Sequence, residues 1–239
     1  MMRASVVLLG IVACSSLVPA LHADARSDRC ARDRSVTIAA NAQVRVYRDR
    51  PQLEGARVIA CHRATGSKTR LGSPLADTMH QFGGRRAIAL RGSTIAYTML
   101  LDPFPEESSG ATELVRVRLP FRGDGPAFRS APAASLTISE STPRALATER
   151  ILIAPGGTVV LAACQARSLL YRGCARPLGK VRIVAAPDSA FLPDQRFREP
   201  LVLANARGID PRSLRLSPSG THAGWTERGR RRSARLPTG

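Results

Sequence analysis

Pairs of short apolar strands separated by a tight turn recur along the chain. Three pairs share a turn that contains Gly and Thr: "LRGSTIAYTML" (Leu90 to Leu100), "APGGTVVLAAC" (Ala154 to Cys164) and "SPSGTHAGWTE" (Ser217 to Glu227). Their turn threonines are 64 and 63 residues apart, at Thr94, Thr158 and Thr221. Self-similarity at a fixed period is typical of repeat architectures. The pattern therefore predicts a repeated structural unit.

Each turn is preceded by a strand of alternating apolar and polar residues. These predicted first strands are "RRAIAL" (Arg85 to Leu90), "ERILIA" (Glu149 to Ala154) and "RSLRLS" (Arg212 to Ser217). A fourth, degenerate copy is predicted in "VTIAANAQVRVYR" (Val36 to Arg48), with Asn41-Ala42-Gln43 at the turn and Val44 to Tyr47 on the second strand. Asn tolerates positive φ nearly as well as Gly, which makes the replacement physically reasonable.

A third strand follows the second in each copy, after a loop of variable length. The predicted third strands are "RVIACHR" (Arg57 to Arg63), "ELVRVRL" (Glu113 to Leu119), "SLLYRGC" (Ser168 to Cys174) and "RRSARL" (Arg231 to Leu236). Their period of two fits strands with one buried and one wet face. After the first of them, "ATGSKTRLG" (Ala64 to Gly72) predicts a turn and a basic outer strand.

Convincing helical periodicity is absent from the sequence after the N-terminal apolar run. Three stretches rich in Pro, Gly and Ser, at 102–110, 121–135 and 186–200, are predicted to be loops. Antiparallel units of three or four strands joined by tight turns are typical of propeller blades. We therefore predict an all-β, β-propeller-like fold of about four units in a single domain, residues 26–239.

The N-terminus predicts an export signal over residues 1–25. A short basic start precedes an apolar run from Ala4 to Leu21, and Ala23-Asp24-Ala25 offers a cleavage site. An uncleaved membrane anchor is a second interpretation, disfavoured because Gly10, two serines and Pro19 interrupt the run. A third is a lipoprotein anchored at Cys14. After removal of the signal we expect no transmembrane segment.

Four cysteines follow the signal, and an even number in an exported chain predicts two disulfides with three connectivities. Cys164 and Cys174 flank a hairpin-length segment, so a bond between them is geometrically easy, which leaves Cys30 with Cys61. A metal site is disfavoured because no C-x-x-C motif occurs. We expect no metal and no cofactor.

The formal net charge of +18 comes almost entirely from arginine, since Lys68 and Lys180 are the only lysines. GC-rich coding is one source of such a composition, but the surface attracts polyanions whatever its origin. Outside the cell these are anionic wall polymers, acidic polysaccharides and lipid headgroups. Specific nucleic-acid binding is disfavoured, because only 4% of the residues are aromatic and stacking platforms are scarce.

The densest group of charges is "RGRRRSAR" (Arg228 to Arg235), with five arginines in eight positions. One interpretation is a polyanion contact formed by Arg228, Arg230, Arg231 and Arg232. The other, which strand alternation in Ser233 to Leu236 favours, is a hairpin turn followed by a solvated outer strand.

Candidate catalytic groups are few. His62, His80 and His222 lie in different units and none is paired with a carboxylate at a useful spacing. The sequence also lacks a G-x-S-x-G elbow, an H-E-x-x-H motif and a Walker-type loop. We therefore predict no catalytic residue and a protein that is not an enzyme, with a secreted hydrolase of unknown substrate as the alternative.

Both ends of the chain also carry a family resemblance. The segments "GIDPRSLRLSPSGTHAGWTERGRRRSARL" (Gly208 to Leu236), "NAQVRVY" (Asn41 to Tyr47) and "CHRATGSKTRLG" (Cys61 to Gly72) resemble uncharacterised secreted proteins of high-GC bacteria. The resemblance implies export and a β-propeller-like repeat fold of the WD-repeat or TolB type, and it supplies no catalytic residues. Together with the charge, it favours a non-enzymatic binding or structural module at the cell envelope, with an anionic wall polymer or polysaccharide as the partner.

Overall fold

The computed structural model describes residues 29–31, 35–49, 57–71, 88–101, 111–119, 134–138, 146–165, 179–191 and 200–237. Within them the chain forms four antiparallel sheets, and the one helical element is a short 3₁₀ helix, Asp188–Phe191. The predicted all-β class is therefore confirmed. The predicted signal segment 1–25, including Cys14, lies outside these residues, as does His80.

Each sheet is a meander in which consecutive strands pair. The first sheet contains β1 (Val36–Ala40), β2 (Val44–Arg48), β3 (Val58–His62) and β4 (Lys68–Leu71). The second contains β5 (Ile88–Arg91), β6 (Thr94–Leu101), β7 (Ala111–Arg118) and β8 (Ala134–Ile138). The third contains β9 (Leu146–Ile153), β10 (Val159–Gln165), β11 (Lys180–Ala186) and β12 (Leu201–Arg207). The fourth contains β13 (Ile209–Leu216), β14 (His222–Glu227) and β15 (Arg230–Arg235).

The recurring turn joins the first two strands of a sheet, as predicted. Its glycine has positive φ in all three copies, +56° at Gly92, +84° at Gly157 and +71° at Gly220. An L side chain adopts this conformation only at a cost, which explains why glycine recurs there. In the third and fourth sheets each turn contains the same hydrogen bond, in which the glycine N–H donates to the carbonyl three residues before it.

The turn of the first sheet works differently from the prediction. Asn41 does not have positive φ. Its side-chain Oδ1 instead accepts hydrogen bonds from the backbone N–H groups of Gln43 and Val44, at 2.9 and 2.8 Å. Its Nδ2 donates to the carbonyl of Gly92 at 2.9 Å and so ties this turn to the turn of the second sheet. Asparagine replaces glycine here because of its hydrogen bonds, not its backbone freedom.

The prediction for the third strand of the third sheet is wrong. The strand that pairs with β10 is β11, Lys180–Ala186, in a continuous register from Val159 opposite Ala186 to Cys164 opposite Val181. The predicted segment 168–174 lies outside the described residues. Two outer strands were also missed: β8 begins inside a stretch predicted as a loop, and β12 follows another. The other three predicted third strands are confirmed to within two residues at each end.

Consecutive sheets share apolar cores. One core joins the first and second sheets, the next joins the second and third, and the last joins the third and fourth. The first strands of neighbouring sheets also contact one another, β1 with β5, β5 with β9, and β9 with β13. The four sheets therefore form a stack in chain order, and in the described part of the molecule no core cluster joins the fourth sheet to the first.

The far side of the first sheet is covered by the segment that precedes β1. Cys30 forms the predicted disulfide with Cys61 of β3, and both pack with Tyr47 and Ile59. Arg45 holds the same segment, because its guanidinium donates to the carbonyl of Cys30 at 2.6 Å and to Ser35 Oγ at 3.0 Å. Cys164 is also disulfide-bonded, but Cys174, its predicted partner, lies outside the described residues.

Candidate anion-binding surface

The arginines of this protein divide into those that hold the fold together and those that face solvent. Arg45 belongs to the first group, through its contacts with the N-terminal segment and its position 5.0 Å from the Tyr47 ring centroid. Arg116 of β7 belongs there too. Such arginines are used internally and contribute little to the attraction of an external anion.

Arg116 links the second sheet to the third. It pairs with the carboxylate of Asp188, donates to the Asp188 carbonyl at 3.4 Å, and lies 4.6 Å from the Phe191 ring centroid. Burial lowers the pKa of Arg116, and the positive charge of Arg118 lowers that pKa further. Because arginine stays protonated at any physiological pH, the pair persists as an ionic contact. We interpret it as structural.

The predicted arginine cluster lies on the last hairpin. Arg228 is in the turn with φ of 47°, and β15 runs antiparallel to β14 from Arg230, opposite Glu227, to Arg235, opposite His222. Strand β15 is the edge of the fourth sheet. Charged side chains on an edge strand discourage pairing with another chain, so part of this charge has a structural explanation.

Strand alternation divides the cluster between the two faces of the sheet. Residues paired across an antiparallel ladder share a face. Arg230 and Arg232 therefore lie on the face of Glu227 and Trp225, which packs on the third sheet through Ile209, Ala223 and Trp225. We call this the core face. Arg232 forms an ion pair with Glu227 there, at 3.8 Å. Arg231 lies on the opposite side.

We call that opposite side the outer face of the fourth sheet. It carries Asp210, Arg215, His222, Gly224, Thr226, Arg231, Ser233 and Arg235. All of them are exposed except Gly224 and Thr226, which are half-buried. Its three arginines form no ion pair with any residue that the structure describes.

Sequence reasoning missed Arg215 and Arg235 as members of one surface with Arg231. Arg235 is separated from Arg231 by four residues, which places both on the same side of a strand. That signal was present in the sequence. Arg215 could be placed only by the register of β13 against β14, where it pairs with Gly224 beyond a bulge between Asp210 and Arg215.

The two described histidines bond to neighbouring hydroxyls. His62 Nδ1 lies 3.0 Å from Thr65 Oγ1, and His222 Nδ1 lies 3.0 Å from Thr221 Oγ1, which continues to Ser219 Oγ at 2.8 Å. Neither imidazole is hydrogen-bonded to a carboxylate within the described ranges. Each contact spans three residues or fewer and belongs to a turn, so these groups are local hydrogen-bonding partners.

Trp225 is buried in the core between the third and fourth sheets. Its ring is therefore not available as an exposed stacking platform. Over the part of the chain that the structure covers, no three potential metal ligands come together. A helix long and apolar enough to span a bilayer is likewise not found in that part.

Two comparisons with known proteins give no relative. No protein-family model matches the chain, and no curated protein sequence matches it.

Proposed function

We propose that this protein is an exported, non-enzymatic module that binds an anionic polymer at the cell envelope. The observation that carries the proposal is the set of exposed arginines on the fourth sheet that lack a described carboxylate partner: Arg215, Arg228, Arg230, Arg231 and Arg235. Unpaired surface charge of one sign creates a field that attracts and orients opposite charge. The net charge of +18 extends that field over the whole chain.

Export is part of the proposal. It is supported by the predicted signal segment 1–25 and by the Cys30–Cys61 disulfide, since structural disulfides persist in oxidising compartments. We further propose that the stacked sheets are the blades of a propeller-like fold, in which the neighbouring first strands β1, β5, β9 and β13 line the inner side. The order of the sheets along the chain supports this arrangement.

The test is equilibrium binding of the purified protein to polygalacturonate, with uncharged dextran as the matched neutral control. We expect binding to polygalacturonate alone. It should weaken steadily as salt rises from about 0.1 M to about 1 M, where the screening length falls from about 10 Å to about 3 Å. Equal binding to dextran, or binding that is insensitive to salt, would contradict a charge-based function.

A further inference from the structure

We infer that the outer face of the fourth sheet is a ligand site for an extended acidic polysaccharide, built by Arg215, Arg231 and Arg235 around Gly224. This inference rests on the proposed function and deepens it by naming the surface and the ligand class. It also differs from the polyanion contact predicted from the sequence, which is formed by Arg228, Arg230, Arg231 and Arg232, because only Arg231 belongs to both.

The first argument is the spacing of the charges. Arg231 and Arg235 are four residues apart on β15, which separates their attachment points by about 13 Å along the strand. Arg215 attaches on β13, two strands away and thus about 10 Å across the sheet, at the level of Gly224 and Ser233. The three cations therefore surround the centre of the face. A polymer with charges distributed along its length can contact all three at once.

The second argument is Gly224. Glycine in a strand interior weakens the strand, and it often marks the close approach of a ligand or another group. Gly224 does not have positive φ, and a Cβ there would meet its neighbours only at ordinary contact distances. Neither backbone conformation nor crowding thus requires glycine at this position.

The absence of a side chain at Gly224 affects the position of Arg215. The Cγ and Nε atoms of Arg215 both lie 3.7 Å from the place where a Cβ of residue 224 would be. The arginine side chain therefore passes over the bare backbone of β14 at Gly224. A large residue at 224 would occupy that path and move the guanidinium away from the other two. Gly224 is a positioning residue for Arg215.

The third argument is the chemistry between the arginines. Thr226 and Ser233 place hydroxyl groups on the same face, and Asp210 is its one carboxylate within the described sheet, with Oδ1 accepting from the backbone N–H of Arg212 at 3.0 Å. Arginine binds carboxylates in bidentate fashion, and hydroxyl side chains suit sugar hydroxyls. Phe, Tyr and Trp rings, on which nucleic-acid bases stack, are absent from the described residues of this face, and its one ring is the imidazole of His222. The combination favours an acidic polysaccharide over a nucleic acid.

The test compares two triple variants with equal loss of charge. In the face variant Arg215, Arg231 and Arg235 are changed to Gln; in the control variant Arg91, Arg118 and Arg207, all exposed and outside the fourth sheet, are changed to Gln. With polygalacturonate as the probe, we expect the face variant to lose about tenfold or more in affinity, because charge-assisted hydrogen bonds are removed. The control variant should lose about threefold or less, through net charge alone.

A second variant, Gly224→Val, leaves every charge in place. Valine favours strands, so we expect stability to be unchanged or raised while affinity for polygalacturonate falls several-fold. A glycine kept only for structure would show the reverse, lower stability with unchanged affinity. Folding of all variants is checked by circular dichroism and thermal unfolding.

The outcomes separate the two proposals. If the wild-type protein does not bind polygalacturonate, both the proposed function and this inference are wrong. If it binds, but the face variant and the control variant lose the same affinity, only the site is wrong. A third outcome would contradict the ligand class. In it, the face variant and the wild-type protein bind polygalacturonate equally, but the face variant loses binding to inorganic polyphosphate, which would show that the site binds phosphate.

Discussion

At the scale of single residues, the recurring turn is determined by backbone conformation. Gly157 has φ of +84°, and the side of its Cα that would carry a Cβ faces Asp188, whose Cγ would be 3.0 Å away. Asp188 in turn pairs with Arg116. The turn glycine therefore serves two purposes: it permits the left-handed conformation, and it leaves room for the carboxylate that joins two sheets.

Gly157→Ala should lower the free energy of unfolding by about 2 kcal/mol or more. An L residue in the left-handed region costs about 1–2 kcal/mol, and the new methyl group also displaces Asp188. Gly156→Ala is the matched control, because nothing lies within 4 Å of its Cβ position and its φ is not positive. This control should change the free energy of unfolding by no more than about 1 kcal/mol, in either direction. Urea unfolding of both variants measures the difference, and equal losses would contradict the steric argument.

At the scale of the elements, the first sheet depends on a covalent clamp. The Cys30–Cys61 bond closes a loop with a sequence separation of 31 residues. It holds the segment before β1 against Tyr47 and Ile59, where Arg45 adds hydrogen bonds. This segment has little apolar surface of its own, so the disulfide and the arginine take the place of a larger core.

Replacing both Cys30 and Cys61 with Ala should destabilise the protein by about 3–4 kcal/mol, because a loop of this size regains its conformational freedom in the unfolded chain. The variant should also be cleaved faster by protease between residues 29 and 35. Thermal unfolding and peptide mapping measure the two effects. Arg45→Lys keeps the positive charge but loses the planar set of guanidinium donors. This variant should lose less stability than the double cysteine variant and should keep the disulfide intact. Unchanged stability of the double variant would show that the clamp is dispensable.

At the scale of the whole molecule, the sheets are held in order by cores between neighbours and by ion pairs, Arg116 with Asp188 between the second and third sheets and Arg212 with Glu149 between the third and fourth. Arg116, whose side chain is 15% exposed, contacts Asp188 and Phe191 of the next sheet. Since Asp188 remains 41% exposed, water can solvate its carboxylate when the arginine is removed. Removal of the arginine should therefore cost less stability here than it would in a fully buried ion pair.

Arg116→Met should reduce stability by about 1–2 kcal/mol and increase hydrogen exchange in β7 and in the Asp188–Phe191 helix that follows β11, on the two sides of the link. Arg118→Met is the control on the same strand, since its side chain is exposed, and it should change stability by less than about 0.5 kcal/mol. Hydrogen exchange followed by mass spectrometry locates the effect. Faster exchange confined to the first sheet would contradict the proposed role of the pair.

Local pattern determined most of the elements. The Gly-Thr turns, the strands around them and the third strands of three sheets follow from period-two alternation and turn chemistry, which act over a few residues. The outer strand β12 was missed because most of its residues are exposed, so burial leaves no clear alternation in "LVLANAR". The partner of β10 was misplaced because loop length between paired strands is not encoded in the strands themselves.

The surface depended on tertiary structure. The sequence alone determined the all-β class, the excess of arginine and the concentration of positive charge in the last hairpin. Which arginines share a face was decided by the pairing of β13 with β14 across a bulge, which brings Arg215 beside Gly224 and opposite β15. Which arginines are used inside the fold was decided by contacts over 15 to 72 residues, at Arg45 and Arg116. Such contacts join residues that are far apart in the sequence, and a local pattern of residues does not specify which distant residues meet.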